Sequence, residues 1–242
     1  MKIKVCGMRD GENIRHVTAL GVEWIGMVFH EGSPRNVTMI PTHAGIIPDR
    51  APATVQGDSQ SVQGDLQSVQ GEVQSPYPIK RVGVFTDEMA QNIITRVVNF
   101  RLDAVQLDGH EPATLVRNLR ATLTDAPEGT RAIAPRLQVW KTIAIGSAAD
   151  LALCKDYEDC CDLFVFSFNP PLSALRPLLD ILQAYDGQRP FLLGGDIGPD
   201  DAKALRTFSH PQCMGVSLDT RFETAPAVKD VELLRTFIAQ LS

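Results

Sequence analysis

The sequence holds no Cys-x-x-Cys pair, no His-Glu-x-x-His run, and no excess of positive charge. Its five cysteines (Cys6, Cys154, Cys160, Cys161 and Cys213) are odd in number and lack zinc-knuckle or thioredoxin spacing, so the expectation is reduced thiols of the cytoplasm. The five histidines are scattered with no i,i+4 pair, and no metal site is expected. No stretch reaches the roughly 20 apolar residues that cross a bilayer, and the first residues lack the apolar run of a signal peptide. The expectation is a cytoplasmic protein with no membrane partner. With 23 Lys and Arg against 29 Asp and Glu, the net charge is −6. No basic field exists to attract a nucleic-acid backbone. A small phosphorylated ligand is not excluded, because it needs only a local pocket.

What the chain does have is 242 residues, 44% of them hydrophobic, ample for one sizeable core. Short apolar, β-branched runs at 3–6, 23–29, 81–85, 104–107, 138–145, 163–167, 191–193 and 214–218 read as strands. Helix-period segments fall at 10–20, 88–99, 112–123, 148–157, 172–184, 200–207 and 231–241. Strands that are continuously apolar suit a parallel sheet covered by helices. Eight βα units favour a closed barrel over an open doubly wound sheet, and pattern alone leaves both open. One stretch breaks the alternation: VQGDSQS, VQGDLQS and VQGEVQS repeat across residues 55–75. The period of seven invites a coiled coil, but Gly57, Gly64 and Gly71 would each cost a helix about 1 kcal/mol. A flexible surface insertion over residues 49–78, inside a single domain spanning 1–242, fits the Gly/Ser/Gln bias better.

Cys6 closes the first strand, and in a parallel barrel the C-terminal strand ends form the mouth where chemistry occurs. A lone cysteine is more often a small buried filler. A lone loop arginine such as Arg35 is more often solvated. The neighbours change both readings. KVCGMRD (4–10), MVFHEGSPRNV (27–37), RVGVFTDE (81–88), VQLDGHE (105–111), CDLFVFSF (161–168), PFLLGGDIGP (190–199), FSHP (208–211) and GVSLDTRFETAPAVKD (215–230) follow in order. Together they resemble the sequential motifs of the phosphoribosylanthranilate isomerases, over nearly the whole chain except roughly residues 44–76.

That resemblance implies a (βα)₈ (TIM) barrel and an Amadori rearrangement in tryptophan biosynthesis. The substrate implied is a small phosphorylated sugar joined to anthranilate, and the reaction needs no cofactor. A general acid opens the furanose ring to a Schiff base, a general base removes the C2 proton, and the enolamine becomes an aminoketose. In the family the base is the cysteine of the K-[VI]-C-G motif, here Cys6. A thiolate suits that role if neighbours bring its pKa toward neutrality. Arg35 matches the arginine facing the anthranilate carboxylate, which a guanidinium can grip as a fork. Gly195, Asp196, Thr220 and Arg221 fall on the phosphate-binding loops after strands seven and eight.

Departures cluster at the mouth. Ser167 stands at the general-acid aspartate, and a hydroxyl is a far weaker acid. The glycine-rich loop after strand six is replaced by Asn169-Pro170-Pro171-Leu172-Ser173. Asp196 takes a glycine position, Ser217 takes the strand-eight aspartate, and Asp108 takes the usual histidine, with His110 two residues on. Three readings follow: an isomerase with a displaced acid such as Asp108 or Asp196, a barrel that binds without turnover, and a Cys6 enzyme acting on another sugar phosphate. Arg9 and Asp10 read as helix-start residues without chemistry, and Arg221 as a partial offset to Asp196.

Overall fold

The computed structural model describes residues 1–38, 79–125, 132–168 and 174–241. Eight parallel strands close on themselves: β1 (Lys2–Val5), β2 (Trp24–Val28), β3 (Lys80–Phe85), β4 (Ala104–Leu107), β5 (Gln138–Ile145), β6 (Leu163–Phe168), β7 (Phe191–Leu193) and β8 (Cys213–Leu218). Closure is made by β1 pairing with β8, Lys2 against Gly215 through Val5 against Leu218. All eight sequence strands are found, with ends shifted slightly; β1 starts at Lys2 and Cys6 lies just past its end. The open-sheet alternative falls.

The helices are α1 (Gly11–Thr18), α2 (Ala90–Phe100), α3 (Ala113–Thr124), α4 (Cys154–Tyr157), α5 (Leu175–Leu182), α6 (Ala202–Thr207) and α7 (Val231–Leu241). The expected helix at 148–157 is instead a 3₁₀ segment, Ala148–Leu153, running into α4, and a 3₁₀ turn, Pro199–Asp201, leads into α6. A small antiparallel hairpin, β9 (Glu223–Ala225) with β10 (Val228–Lys229), was not expected from sequence. The repeat insertion at 49–78 and the stretch 169–173 lie outside the described residues. Among the described residues no helix is long and apolar enough to cross a membrane.

Alternation along each strand sends every second side chain inward. At the N-terminal end the interior is apolar, filled by Trp24, Val82, Ala104, Trp140, Leu163 and Leu192. The Trp24 and Trp140 rings meet edge to face with centroids 5.5 Å apart. Outward residues pack the helices: Ile14 and Val17 of α1, Leu178 and Leu182 of α5, and Phe237 of α7 are essentially buried, each contributing about 1.5–3 kcal/mol. Asp10 caps α1 by accepting from the Asn13 amide at 2.7 Å, as its helix-start reading required.

One polar fastening sits between β4 and β5. Lys141, buried, donates to Glu111 Oε2 at 3.0 Å and to the Gly109 carbonyl at 2.7 Å. Glu111 in turn accepts from the Asp87 amide at 2.9 Å and the Gly109 amide at 3.1 Å. The loops after β3 and β4 are thus tied to one carboxylate. Glu111→Ala leaves a buried ammonium unpaired and is expected to cost about 3–5 kcal/mol, measured as a shift in urea unfolding free energy.

Candidate active site

Beyond the apolar layer, toward the C-terminal strand ends, the interior turns polar and opens into a cavity of about 370 Å³. Lys4, Gln106, Thr142, Val165 and Ser217 sit at the deeper level, with Cys6, Asp108, Ser167 and Asp219 two residues on from Lys4, Gln106, Val165 and Ser217. Seven of the eight residues singled out from sequence line this cavity: Cys6, Arg35, Asp108, Ser167, Gly195, Asp196 and Thr220. Arg221 stands at its edge, where its guanidinium pairs with Asp196 at 3.2 Å. Thr220 Oγ1 also donates to Asp196 at 3.2 Å. The offset expected between Arg221 and Asp196 is therefore an ion pair. A second cavity, about 290 Å³ beside Phe29, Asn92 and Arg96, holds none of these residues.

The Cys6 sulfur is nearly covered, with 6% of the residue exposed, yet it faces the cavity. Room for it comes from Gly26 on β2. A methyl there would lie 2.8 Å from Cys6 Sγ and 3.1 Å from Lys4 Cε, closer than side chains tolerate. Burial pushes the thiol above its ordinary range; Lys4 opposes that most strongly, Asp219 adds to it, and Lys229 works against it. A site that strips water from sulfur disfavours its charge, and the neighbouring cations offset only part of that.

Gly7 turns the chain with φ +74°, a left-handed conformation that suits glycine. It also makes space, because a Cβ there would meet the Arg35 stem at 2.7 Å and Asp219 Oδ1 at 2.8 Å. Around it lies a cluster of two cations and two carboxylates. Arg35 Nε donates to Glu223 Oε1 at 2.8 Å and its Nη2 to Oε2. Lys229, fully buried, reaches Glu223 at 2.6 Å and Asp219 at 3.1 Å. Glu223 thus occupies the Nε–Nη2 side of Arg35, and both Nη1 hydrogens and the second Nη2 hydrogen are left over. Arg9 holds the Arg35 loop in place, donating to the Pro34 carbonyl at 3.1 Å, so it has a structural task beyond starting α1.

Across the mouth, Asp108 accepts from Gln106 Nε2 at 3.2 Å, and Gln106 also donates to Thr142 at 3.1 Å. Gln106 Oε1 is buried without a hydrogen-bond donor among the described residues. Among the described residues no cation pairs with Asp108. Sequence reasoning assigned no role to Lys4, Gln106, Asp219, Glu223 or Lys229. The available signal was charge within an apolar strand: Lys4 stands between Ile3 and Val5 in a buried run, and lysine is rarely buried unless something holds it.

Burial opposes the Glu223 charge, but Arg35 and Lys229 together outweigh it and hold the carboxyl below its usual 4.5. A depressed carboxyl stabilises the fold above its unfolded pKa, and that share is lost as pH falls through the folded value. The wild-type unfolding free energy should therefore drop as pH falls below about 4.5. Glu223→Gln should flatten that acid limb, as read by denaturant titrations at successive pH values.

Comparison with known proteins gives this site its lineage. A family model described as PRAI, N-(5'phosphoribosyl)anthranilate (PRA) isomerase, matches residues 43–240. The N-(5'-phosphoribosyl)anthranilate isomerase of Parabacteroides distasonis is 34% identical over 245 aligned residues, covering 100% of this chain and 93% of the relative. In fold the chain is similar to phosphoribosyl anthranilate isomerase from Thermotoga maritima, at TM-score 0.70 and 20% identity, covering 100% and 98% of the two chains. A further similar structure, at TM-score 0.65 and 20% identity over the same shares, is that isomerase in complex with reduced 1-(o-carboxyphenylamino)-1-deoxyribulose 5-phosphate. On a whole-chain relative at this identity and a family match over most of its length, this chain belongs to the N-(5'-phosphoribosyl)anthranilate isomerase family.

Proposed function

We propose that the chain catalyses the Amadori rearrangement of N-(5'-phosphoribosyl)anthranilate to 1-(2-carboxyphenylamino)-1-deoxyribulose 5-phosphate, in the cytoplasm, as a step of tryptophan biosynthesis. The observation that carries this reading is Cys6 at the cavity end of β1 in a whole-chain member of the family. Proton transfer alone completes the reaction, so no metal or organic cofactor is called for. Phosphate would lie at the Gly195–Asp196 turn with Thr220 and Arg221, where Asp196 must yield its cation to the ligand. The anthranilate carboxylate would meet Arg35 at its Nη1–Nη2 end, because Glu223 occupies the Nε–Nη2 side.

The chemistry divides between two sides of the sugar. An acid protonates the ring oxygen as the ring C–O bond breaks, and the nitrogen lone pair forms the iminium. The Cys6 thiolate takes the C2 proton. The electrons of that bond make C1=C2 while the iminium pair returns to nitrogen, and the enolamine tautomerises to the aminoketose. For the acid we assign Asp108 over Asp196, because Asp196 is engaged by Arg221 and Thr220 whereas Asp108 lines the cavity with only the neutral Gln106 amide on it. Ser167, at the family's acid position, is a spectator hydroxyl in this scheme.

A barrel that binds without turnover is the competing reading, favoured by Ser167 and by the engaged Arg35 fork. Loss of anthranilate-type fluorescence on substrate addition, or rescue of a tryptophan auxotroph lacking this step, decides between them. Cys6→Ala is expected to abolish turnover. Asp108→Asn should lower kcat by about 10²–10⁴, more than Asp196→Asn; equal rates in wild type and Asp108→Asn would remove the assignment. Because the active form of a raised thiol is its anion, kcat/KM should climb about tenfold per pH unit through neutrality.

A further inference from the structure

Lys4 is a buried lysine with no carboxylate partner among the described residues. Its residue exposure is 0%, and its ammonium donates to the neutral Ser217 hydroxyl at 3.2 Å. Ion pairs elsewhere in the barrel are matched: Lys141 has Glu111, Lys229 has Asp219 and Glu223, and Arg35 has Glu223. A buried ammonium left without an anion is costly, so its retention calls for a use. Lys4 leaves β1 on the same face as Cys6, two residues apart, and both crowd the bare face of Gly26.

We propose that Lys4 is the counter-ion of the Cys6 thiolate, a positioning residue that Ser217 holds in place without neutralising. Other charged groups face the sulfur too. Asp219 at the end of β8 and Lys229 on β10 act on it with opposite sign but pair with each other at 3.1 Å. Arg35, from the loop after β2, is spent on Glu223. Among the described residues, Lys4 is thus the cation beside Cys6 whose charge no carboxylate cancels. As Cys6 loses its proton to water in the cavity, the ammonium gains its anion within the low-dielectric interior, where the attraction is strongest. When the thiolate takes the C2 proton, Lys4 returns to the serine hydroxyl and the site resets.

The inference rests on the isomerase reading for its use but not for its test. Alkylation of Cys6 by iodoacetamide is followed by mass spectrometry of its peptide across neutral and alkaline pH, and the midpoint of the rate profile reports the thiol. Lys4→Met should move that midpoint up by about one to three pH units, while Lys4→Arg should keep it near wild type. Ser217→Asp supplies a carboxylate that captures the ammonium, and it should also move the midpoint up. It carries the test if Lys4→Met does not fold. Midpoints unchanged or lowered in both Lys4→Met and Ser217→Asp overturn the proposal. Isomerase turnover on the same proteins keeps the two ideas apart. A shifted midpoint in the variants with no turnover in the wild type upholds Lys4 and removes the isomerase reading, and an unshifted midpoint with an active wild type does the reverse.

Discussion

Lys4 and Cys6 leave one strand on one side, and barrel closure allows that side to be only the interior. Pairing of β1 with β8 sets Lys4 beside Ser217, and pairing with β2 brings both side chains over Gly26. An ammonium and a thiol are therefore packed into a space that excludes water, and their chemistry follows from that confinement. Burial raises the thiol and the ammonium opposes it, while Arg35, Lys229, Asp219 and Glu223 beside them are tied to one another. Had the strands formed an open sheet, neither residue would face Asp108 across a cavity.

The rim shows how a mouth built from loops is kept rigid. Asn13 on α1 exchanges two hydrogen bonds of 2.8 Å with the Lys229 backbone, which fastens the β9–β10 hairpin to the first helix. That hairpin carries Glu223 and Lys229 to the Arg35 loop, which Arg9 pins from the other side. Glu111 performs the same task for the loops after β3 and β4. These fastenings lie outside the reacting positions, so the mouth can change at Ser167, Asp196 and Ser217 while the frame stays intact.

Sequence reading succeeded where the signal is local. Apolar runs marked all eight strands, Asp10 announced its own cap, and the order of motifs gathered Cys6, Arg35, Asp108 and Ser167 at one cavity. It missed what depends on distant partners. Lys4 and Ser217 are 213 residues apart, and Arg35 and Glu223 are 188 apart; no periodicity connects them. The Arg35 fork looked free because its partner lies on a hairpin too short to register as strands. The direction of the Cys6 shift was not legible for a related reason: nearby charge is visible in KVCG, but the depth of burial is a property of the closed barrel.

The account's central claim is that the Cys6 sulfur stands against the sugar carbon whose proton is removed. A crystal structure with the reduced product analogue, 1-(o-carboxyphenylamino)-1-deoxyribulose 5-phosphate, tests it most directly. The account predicts Cys6 Sγ in contact with C2 at about 3–3.5 Å, with Asp108 on the opposite side of the sugar and Arg221 turned from Asp196 to phosphate. An analogue bound with C2 turned away from Cys6, and the sulfur still sealed by protein side chains, would contradict it.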